Sequence, residues 1–415
     1  MIVLKPFKAI RPTKELAPKV AALPYDVMDS QEAREMTKNN PYSFLHVDKA
    51  EIDLDSNIDP YDLRVYEKAK ENLKSMMDDE ILIKDSKESL YVYKQVMNGK
   101  EQIGLVGCVS VEDYMNDRIK KHENTIKEKQ KDRTNHVYYC NGNTGPIFLT
   151  YRSREDINRI IEDWIDNNIP VCDFVSEDDI AHKVWIIDDN EVMEKLIGLF
   201  RTLDSLYIAD GHHRAAAAAE VAKMRKGKEP DFTGKEEFNY FLGVLFPHDQ
   251  LYVMDYNRVV KDLNGHSSTE FVEKIRENFI VEEVEERGPY RPDKKHSFGM
   301  YLDNKWYKLT ARENSFDLDD PVGSLDASIL QDNVLQPILG IEDPRTNKRI
   351  DFIGGIRGLE ELEKKVDEGM AVAFSLYPTA IDDLMKIADE GKTMPPKSTW
   401  FEPKLRSGLF IHDLE

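Results

Sequence analysis

One short segment combines residue types that bind or transform phosphate groups. It spans residues 207–214 and reads YIADGHHR. Its apolar beginning predicts a strand that ends at Asp210, its glycine permits a tight turn, and the alanines that follow predict a helix starting near His213. The first turn of a helix has free N–H groups and lies at the positive end of the helix dipole. The segment therefore predicts a cradle for phosphate.

The polar residues of this turn have distinct chemical roles open to them. Arg214 can donate a forked pair of hydrogen bonds to phosphate oxygens, and His212 and His213 can donate hydrogen bonds or transfer a proton. Asp210 can hold Mg²⁺ or accept a hydroxyl proton. The alternative is that Asp210 only caps the helix, Gly211 only turns the chain and the histidines lie on a polar surface. Two histidines and an arginine directly after a strand favour the ligand or catalytic role.

A basic segment lies upstream of this turn. Residues 118–133 read RIKKHENTIKEKQKDR, with seven basic and three acidic residues and so a local net charge of +4. On a helix, Lys121, Thr125 and Glu128 would share one face, and His122, Lys129 and Arg133 another. Such a run is typical of a solvated helix. It could also form a positive wall against nucleotide phosphates, with Glu123 or Asp132 available for metal binding or base chemistry.

A third candidate segment is close to the C-terminus and spans residues 394–408. Its prolines restrict the backbone, and it carries four donors suited to anions: Lys397, Ser398, Thr399 and Lys404. A rigid surface loop is the alternative interpretation.

Composition limits the classes of partner. The chain has 57 basic and 78 acidic residues, a formal charge of −21, which argues against binding nucleic acid or an anionic membrane but permits a small anion in a local positive pocket. No stretch reaches about 18 consecutive apolar residues, and residues 1–12 lack the apolar region of a secretory signal. The three cysteines, Cys108, Cys140 and Cys172, are far apart and indicate neither a disulfide framework nor a zinc knuckle. We expect a cytoplasmic protein.

The surrounding elements indicate a mixed fold. Asn98-Gly99 and Asp303-Asn304 each separate two apolar runs and predict hairpins at 90–109 and 298–309. Strands and helices alternate without an internal repeat, which predicts an α/β or α+β class with mixed sheets and helices. A length of 415 residues exceeds one usual domain. Prolines and a glycine at 283–295 suggest a linker, so we expect an N-terminal region 1–285 with the DGHHR site, a C-terminal region 296–415, and one composite site.

Nearly the whole chain resembles a bacterial and archaeal family, domain of unknown function 1015. The resemblance is carried by five segments: LPYDVM at 23–28, NPYSFLHV at 40–47, KHENT at 121–125 followed by Asp132-Arg133, ADGHHR at 209–214, and MPPKSTWFEPKLRSGL at 394–409. ADGHHR also resembles the phosphate-binding motif of the ParB and sulfiredoxin superfamily, especially of its free-serine kinases. That likeness implies that residues 211–214 contact nucleotide phosphates, with Asp210 near the transferred group.

The resemblance favours a phosphotransferase that uses ATP or ADP with Mg²⁺, with free L-serine as the preferred acceptor. His212 stands where sulfiredoxins carry a reactive cysteine, which disfavours their chemistry, and the DNA-binding helices of ParB have no evident counterpart. We expect Asp210, and Glu123 second, to act as the base. Two other interpretations are a nucleotide-binding regulator without group transfer and a hydrolase with a His–Asp metal site; scattered histidines elsewhere give the latter little support.

Overall fold

The computed structural model describes residues 1–229, 231–285 and 288–415. The strands, in chain order, are β1 Leu4–Lys5, β2 Ile10–Pro12, β3 Leu82–Lys84, β4 Leu90–Met97, β5 Lys100–Ser110, β6 Ile119–Lys120, β7 Gly142–Asn143, β8 Ile147–Tyr151, β9 Cys172–Val175, β10 Ala181–Ile187, β11 Leu206–Asp210, β12 Tyr240–Pro247, β13 Tyr252–Met254, β14 Tyr256–Val260, β15 Phe279–Glu283, β16 Ser297–Leu302, β17 Lys305–Ala311, β18 Ile350–Gly354, β19 Val372–Leu376, β20 Trp400–Glu402 and β21 His412–Asp413.

The α-helices are α1 Ala17–Val20, α2 Ser30–Thr37, α3 Leu45–Asp48, α4 Leu63–Asp78, α5 Val111–Met115, α6 Lys127–Cys140, α7 Glu155–Asn167, α8 Asn190–Phe200, α9 His212–Lys226, α10 Ser268–Ile275, α11 Asp326–Leu330, α12 Glu360–Asp367 and α13 Ile381–Asp389. A π-helix, Gln331–Leu335, directly follows α11. Within the described ranges, no helix combines the length and apolar character needed to cross a bilayer.

The chain divides into two compact units. The first contains Met1–Lys121, Thr125–Leu251 and Pro403–Glu415, and the second contains His122–Asn124 and Tyr252–Glu402. The division at 251/252 differs from the boundary expected near 285–296, because β14 and β15 belong to the sheet of the second unit. The expected linker includes residues 286 and 287, which lie outside the described residues.

The first unit is built on a nine-stranded mixed sheet. Its order is β6-β11-β8-β12-β5-β4-β10-β9, with β1 paired to β5. β11 is parallel to β6 and antiparallel to β8, while β8 is parallel to β12. The helix α9 packs Ala215, Ala218, Ala219 and Ala222 into the core of this sheet, and Ala215 is fully buried. β11, next to the edge strand β6, and α9 are therefore both anchored in the hydrophobic core of the unit.

The second unit is built on a six-stranded antiparallel sheet in the order β15-β17-β16-β19-β14-β18. Its main core surrounds Phe271, Phe279, Phe298 and Phe374. The two sheets with their helices confirm the predicted mixed α and β class.

The two predicted hairpins are confirmed. β4 and β5 pair up to Met97 and Lys100, and Asn98 and Gly99 between them have φ of +52° and +76°. β16 and β17 pair up to Leu302 and Lys305, across a turn of the same kind at residues 303–304. Two successive positive φ angles are what a two-residue primed turn requires.

The central strand β5 depends on a glycine for close packing. An added Cβ at Gly104 would lie 2.5 Å from Cγ1 of Val244 and 2.8 Å from the ring of Phe246. We expect Gly104→Ala to lower the free energy of unfolding by about 1–3 kcal/mol, because these neighbours would have to shift. Chemical denaturation monitored by circular dichroism measures the change.

The same substitution in α8 is the control. Gly198 is exposed, and an added Cβ there would meet nothing within 4 Å. Gly198→Ala should therefore stabilise the protein, by up to about 1 kcal/mol, through helix propensity alone. Equal effects of the two substitutions would contradict the packing argument for β5.

Candidate functional site

The turn between β11 and α9 joins a strand end directly to a helix start. β11 ends at Asp210, α9 begins at His212, and Gly211 between them has φ +94°. The backbone angle is what requires glycine, since an added Cβ would come no closer than 3.6 Å to Ile147. The first N–H groups of α9 have no acceptor within the helix. The strand and helix predicted around Gly211 are present, and their phosphate-binding role stays a prediction.

Asp210 forms an ion pair with Lys404. Its Oδ2 lies 2.8 Å from the Nζ of Lys404, and its Oδ1 accepts the N–H of Gly211 at 2.8 Å. The carbonyl oxygen of Lys404 accepts the side-chain amide of Gln95, which holds the C-terminal segment in place. The Asp210 side chain is 40% exposed, whereas that of Lys404 is only 10% exposed. The carboxylate can therefore be reached from solvent while its lysine partner is enclosed.

This environment changes the acidity of Asp210. Burial would raise the pKa of the carboxyl group, but Lys404 and the Gly211 N–H stabilise the anion and lower the pKa from 3.8 to about 2. Asp210 is therefore fully ionised at neutral pH. A base is most effective when its pKa lies near the working pH, so this carboxylate is better suited to binding a cation than to accepting a proton.

The two histidines of the turn differ in environment. His212 is buried, and an electrostatic interaction with it lowers the pKa of Asp210 less than Lys404 and the Gly211 N–H do. The Nε2 of His213 accepts the backbone N–H of Ile126 at 3.0 Å. Since a neutral imidazole carries a proton on one nitrogen, this bond places the proton of His213 on Nδ1. His213 is thus arranged to donate a hydrogen bond from Nδ1.

Arg214 is anchored by a carboxylate from a distant part of the chain. Its Nη2 lies 3.1 Å from Oδ2 of Asp48 and 3.3 Å from the hydroxyl of Ser407. Asp48 is completely enclosed and also accepts the hydroxyl of Thr144 at 2.9 Å. Burial would raise the pKa of Asp48, but Arg214 and other nearby cations lower it overall. Asp48 is therefore an anion that fixes the guanidinium of Arg214.

A glycine makes room for the Arg214 guanidinium. An added Cβ at Gly145 would lie 2.1 Å from Nη1 and 2.6 Å from Cζ of Arg214. No side chain larger than hydrogen fits there without displacing the arginine.

A second arginine lies over the same aromatic ring. The Cζ of Arg133 is 3.9 Å, and that of Arg214 is 5.2 Å, from the ring centroid of Tyr25. The Nε of Arg133 donates to Oδ2 of Asp132 at 2.7 Å, and its Nη2 lies 2.7 Å from the same oxygen. Tyr66 donates to Oδ1 of the same carboxylate at 2.9 Å. Asp132 and Tyr66 thus orient Arg133 beside Arg214.

One nitrogen of Arg133 is buried without a hydrogen-bond partner among the described residues. This nitrogen, Nη1, belongs to a side chain that is 10% exposed. Arg133 and Arg214 line a common cavity of about 20 Å³, together with Gly145 and Ile147. That volume accommodates one water molecule or one phosphate oxygen. A buried donor without a partner is costly, so this nitrogen is a candidate contact for an anion.

The interpretation of residues 118–133 as one helix is wrong. Residues 119–120 form the edge strand β6, and α6 begins only at Lys127, so Lys121, His122 and Thr125 do not share helix faces with the residues of α6. Lys121 lies 4.5 Å from the ring centroid of Tyr114 and 3.9 Å from a carboxylate oxygen of Asp117. Of the basic residues in this segment, Arg133 is brought beside the DGHHR turn, whereas Lys121 has these local partners.

The other predicted site residues belong to the second unit. His122 is buried and its carbonyl accepts the N–H of Met394 at 2.7 Å, while Glu123 follows it in the chain. Ser398 donates to the carbonyl of Pro395, and its own carbonyl accepts the hydroxyl of Thr379. The roles predicted for His122, Glu123, Lys397, Ser398 and Thr399 stay predictions.

Several residues of this site were not among the sequence candidates. They are Tyr25, Asp48, Tyr66, Gly145 and Ser407, which contact or orient the two arginines. A signal was available for three of them, because Tyr25 and Ser407 lie inside two of the five recognised segments and Asp48 immediately follows a third. The segments around 23–28, 40–48, 132–133, 209–214 and 405–409 meet within the first unit.

The sequence matches a family model described as a protein of unknown function, DUF1015, over residues 4–328, well over half of the chain. The chain belongs to the DUF1015 family. No curated protein sequence is significantly similar to this DUF1015 protein.

The solved structures that match this chain have low sequence identity and low structural similarity to it. A free serine kinase mutant in complex with AMP has 14% identity and a TM-score of 0.38, with 79% of this DUF1015 chain and 93% of that chain covered. A C-terminally truncated SbnI from Staphylococcus aureus has 10% identity and a TM-score of 0.38, covering 74% and 87%. A conserved hypothetical protein from Pyrococcus furiosus has 15% identity and a TM-score of 0.34, covering 72% and 94%. Likeness at this level carries no conclusion about activity.

The Asp210–Lys404 pair predicts a specific pH response. Because the folded-state pKa of about 2 lies below the usual 3.8, the ionised carboxylate adds stability above about pH 4 that is lost as the pH falls toward 2. Lys404→Gln should raise the pKa of Asp210 above 2, since no neighbouring ammonium group would then offset the effect of burial, which raises this pKa. Carbon NMR of labelled aspartate carboxyl groups, assigned with Asp210→Asn, measures this pKa.

Lys183 provides the control, because its ammonium pairs with Asp173 at 3.0 Å. Lys183→Gln should leave the Asp210 titration unchanged. An Asp210 pKa that stays near 2 in Lys404→Gln would show that the lysine does not control the carboxylate.

Proposed function

We propose that this DUF1015 protein is a phosphotransferase that binds ATP or ADP at the β11–α9 turn and transfers a phosphoryl group to the hydroxyl of a small metabolite. The observation that carries the proposal is the Nη1 of Arg133, which is buried beside Arg214 and has no hydrogen-bond partner within the described part of the chain. Two guanidinium groups and the free N–H groups of a helix start are the groups that stabilise phosphate oxygens in proteins.

The carboxylates around the two arginines are compatible with phosphate binding. Asp48 and Asp132 each pair with one arginine, so the cluster is electrically balanced when empty of ligand. A guanidinium has five N–H donors in a fixed plane, and each arginine uses only part of them on its carboxylate. The carboxylates therefore orient the arginines while leaving donors for a second anion.

The chemistry that follows is mainly stabilisation of charge. In the transfer, the bond between the terminal phosphorus and its bridging oxygen breaks, a bond from phosphorus to the acceptor oxygen forms, and the acceptor proton leaves to a base. Arg133 and Arg214 stabilise negative charge on the phosphoryl oxygens, and the Nδ1–H of His213 adds a further donor. Most of the rate would come from positioning and charge stabilisation.

Asp210 fits a supporting role toward Mg²⁺. Mg²⁺ is commonly held by one or two carboxylates with phosphate oxygens and water completing the shell. Both oxygens of Asp210 have partners in the chain, yet a carboxylate has about four acceptor positions and its side chain is 40% exposed. Asp210 can thus supply one ligand while Lys404 remains bound, and the ion would neutralise phosphate charge.

The acceptor and the base are the finer parts of the proposal. Free L-serine is the favoured acceptor because of the resemblance of ADGHHR to the free-serine kinase motif. The pKa of about 2 makes Asp210 a weak base, which strengthens the case for Glu123 or another carboxylate as the base.

The net charge of −21 supports a small-molecule substrate rather than nucleic acid or membrane. Three buried, unpaired cysteines agree with a cytoplasmic location.

The direct experiment is an assay of the full-length protein with ATP or ADP, Mg²⁺ and L-serine. We expect phosphoserine to form only with nucleotide present, measured by mass spectrometry. If the folded protein binds nucleotide but forms no phosphoserine, serine is excluded as the acceptor. A panel of hydroxylated metabolites would then test whether the protein transfers a phosphoryl group to any acceptor.

Substitutions in the arginine cluster test the proposed phosphate site. Arg133→Gln, Arg214→Ala and His213→Ala should each lower the transfer rate about tenfold or more, because each removes a donor to the transferred group. Arg159→Gln is the matched control, since Arg159 is exposed and pairs with Glu155 on its own helix. Full activity in both folded arginine variants would contradict the assignment.

A nucleotide-binding regulator is the second candidate function. The observation in its favour is that Lys404 holds Asp210 as a weak base, which leaves the turn able to bind phosphate without accepting a proton. Calorimetry would measure nucleotide binding, and the activity assay would measure turnover of the acceptor panel. Binding that depends on Arg133 and Arg214, together with no turnover of any acceptor, would favour this alternative.

A further inference from the structure

A buried arginine in the second unit has no carboxylate partner among the residues that the structure describes. Arg258 on β14 is 3% exposed. Its guanidinium donates to the backbone carbonyls of Tyr256 and Lys397 and lies 5.2 Å from the ring centroid of Phe352. Throughout the described ranges, no carboxylate pairs with it. A buried charge without a counter-charge is costly, so an anion would be stabilised here.

Arg258 remains a cation under ordinary conditions. Burial lowers the pKa of its guanidinium to about 10, which is still well above neutral pH. The two carbonyl partners use two of the five guanidinium N–H groups. Donors therefore remain for a ligand.

A cavity of about 310 Å³ borders Arg258. The volume is at the small end of the range of metabolite sites. Much of its wall is apolar and is formed by Ala327, Leu335, Phe352, Pro395 and Pro396. Leu335 is the last residue of the π-helix, an irregularity that is frequent at binding sites. These side chains suit an apolar group of limited size.

The wall of the cavity also carries acidic residues. The carboxylate of Asp343 is occupied by Arg345, with N–O distances of 2.9 and 2.8 Å. Glu342 is exposed, and its carboxylate has no ion-pair partner in the part of the chain that the structure describes. The cavity thus combines a buried cation, an available carboxylate and an apolar wall.

We infer that this cavity binds a zwitterionic α-amino acid with an apolar side chain. The ligand carboxylate would accept hydrogen bonds from Arg258, its ammonium group would pair with Glu342, and its side chain would contact Phe352 and the two prolines. A dianionic phosphate is disfavoured because the Glu342 carboxylate would repel it, whereas the charge of Asp343 is paired with that of Arg345, which also lines the cavity. The inference does not rest on the proposed phosphotransferase function, since it concerns a different set of residues.

Isothermal titration calorimetry of the full-length protein without nucleotide tests this site. The probes are L-leucine, 4-methylpentanoate, which lacks the ammonium group, and 3-methylbutylamine, which lacks the carboxylate. We expect saturable binding of L-leucine, with each truncated probe binding about tenfold more weakly or not at all. L-serine should bind more weakly than L-leucine because the wall is apolar.

Two substitutions connect the binding to the cavity. Arg258→Gln should abolish binding of L-leucine and of 4-methylpentanoate. Glu342→Gln, at an exposed position where folding is not at risk, should weaken L-leucine about fivefold or more and leave 4-methylpentanoate unchanged. Glu313→Gln, an exposed glutamate of the same unit away from the cavity, is the control and should change neither.

The inference would be overturned by any of three results. These are an absence of binding for every apolar L-amino acid at millimolar concentration, equal affinity for L-leucine and 4-methylpentanoate, or L-leucine binding that Glu342→Gln leaves unchanged. Binding of inorganic phosphate that depends on Arg258, without amino-acid binding, would also overturn it.

Discussion

The candidate site depends on the buried ion pair between Arg214 and Asp48. Asp48 is fully enclosed, so its anion is tolerable only because Arg214, Thr144 and Ser407 satisfy its oxygens. Removing one member of such a pair leaves an uncompensated buried charge and costs about 3–5 kcal/mol. The pair therefore fixes the first turn of α9 against α3, and the direction of the Arg214 guanidinium follows from it. Gly145 preserves the space that this geometry needs.

Residues from both ends of the chain are part of the first unit. Ala22 and Ser407 exchange backbone hydrogen bonds, as do Ile10 and Ile411, which ties the C-terminal segment to the N-terminal one. Lys404 on that segment then reaches Asp210. The cations of the candidate site, Arg133, Arg214 and Lys404, are thus each paired with a carboxylate and do not form an open basic surface, in agreement with the strongly acidic composition. Arg258 in the second unit contrasts with this arrangement, because its partners in the chain are neutral carbonyls.

Local chemistry made several elements predictable. Asn98-Gly99 and Asp303-Asn304 adopt positive φ angles at little cost, so the hairpins could be recognised from a few residues. Gly211 and the alanines after it likewise marked the turn and α9. The helix expected over residues 118–133 was wrong because charge spacing alone does not define a helix start; Ile119 and Lys120 instead pair with β11, a partner far along the chain.

The sequence by itself determined the mixed class, the family, the strand–turn–helix at 206–226 and the identity of its polar residues, since each of these follows from short-range patterns or from matching segments. Only the tertiary structure decided which distant residues meet there. Asp48, Tyr25 and Ser407 reach Arg214 through packing of segments that are up to hundreds of residues apart, and no local propensity encodes such a contact. The low pKa of Asp210 was equally a tertiary property, because a lysine 194 positions away in the sequence outweighs the effect of burial, which alone would raise the pKa.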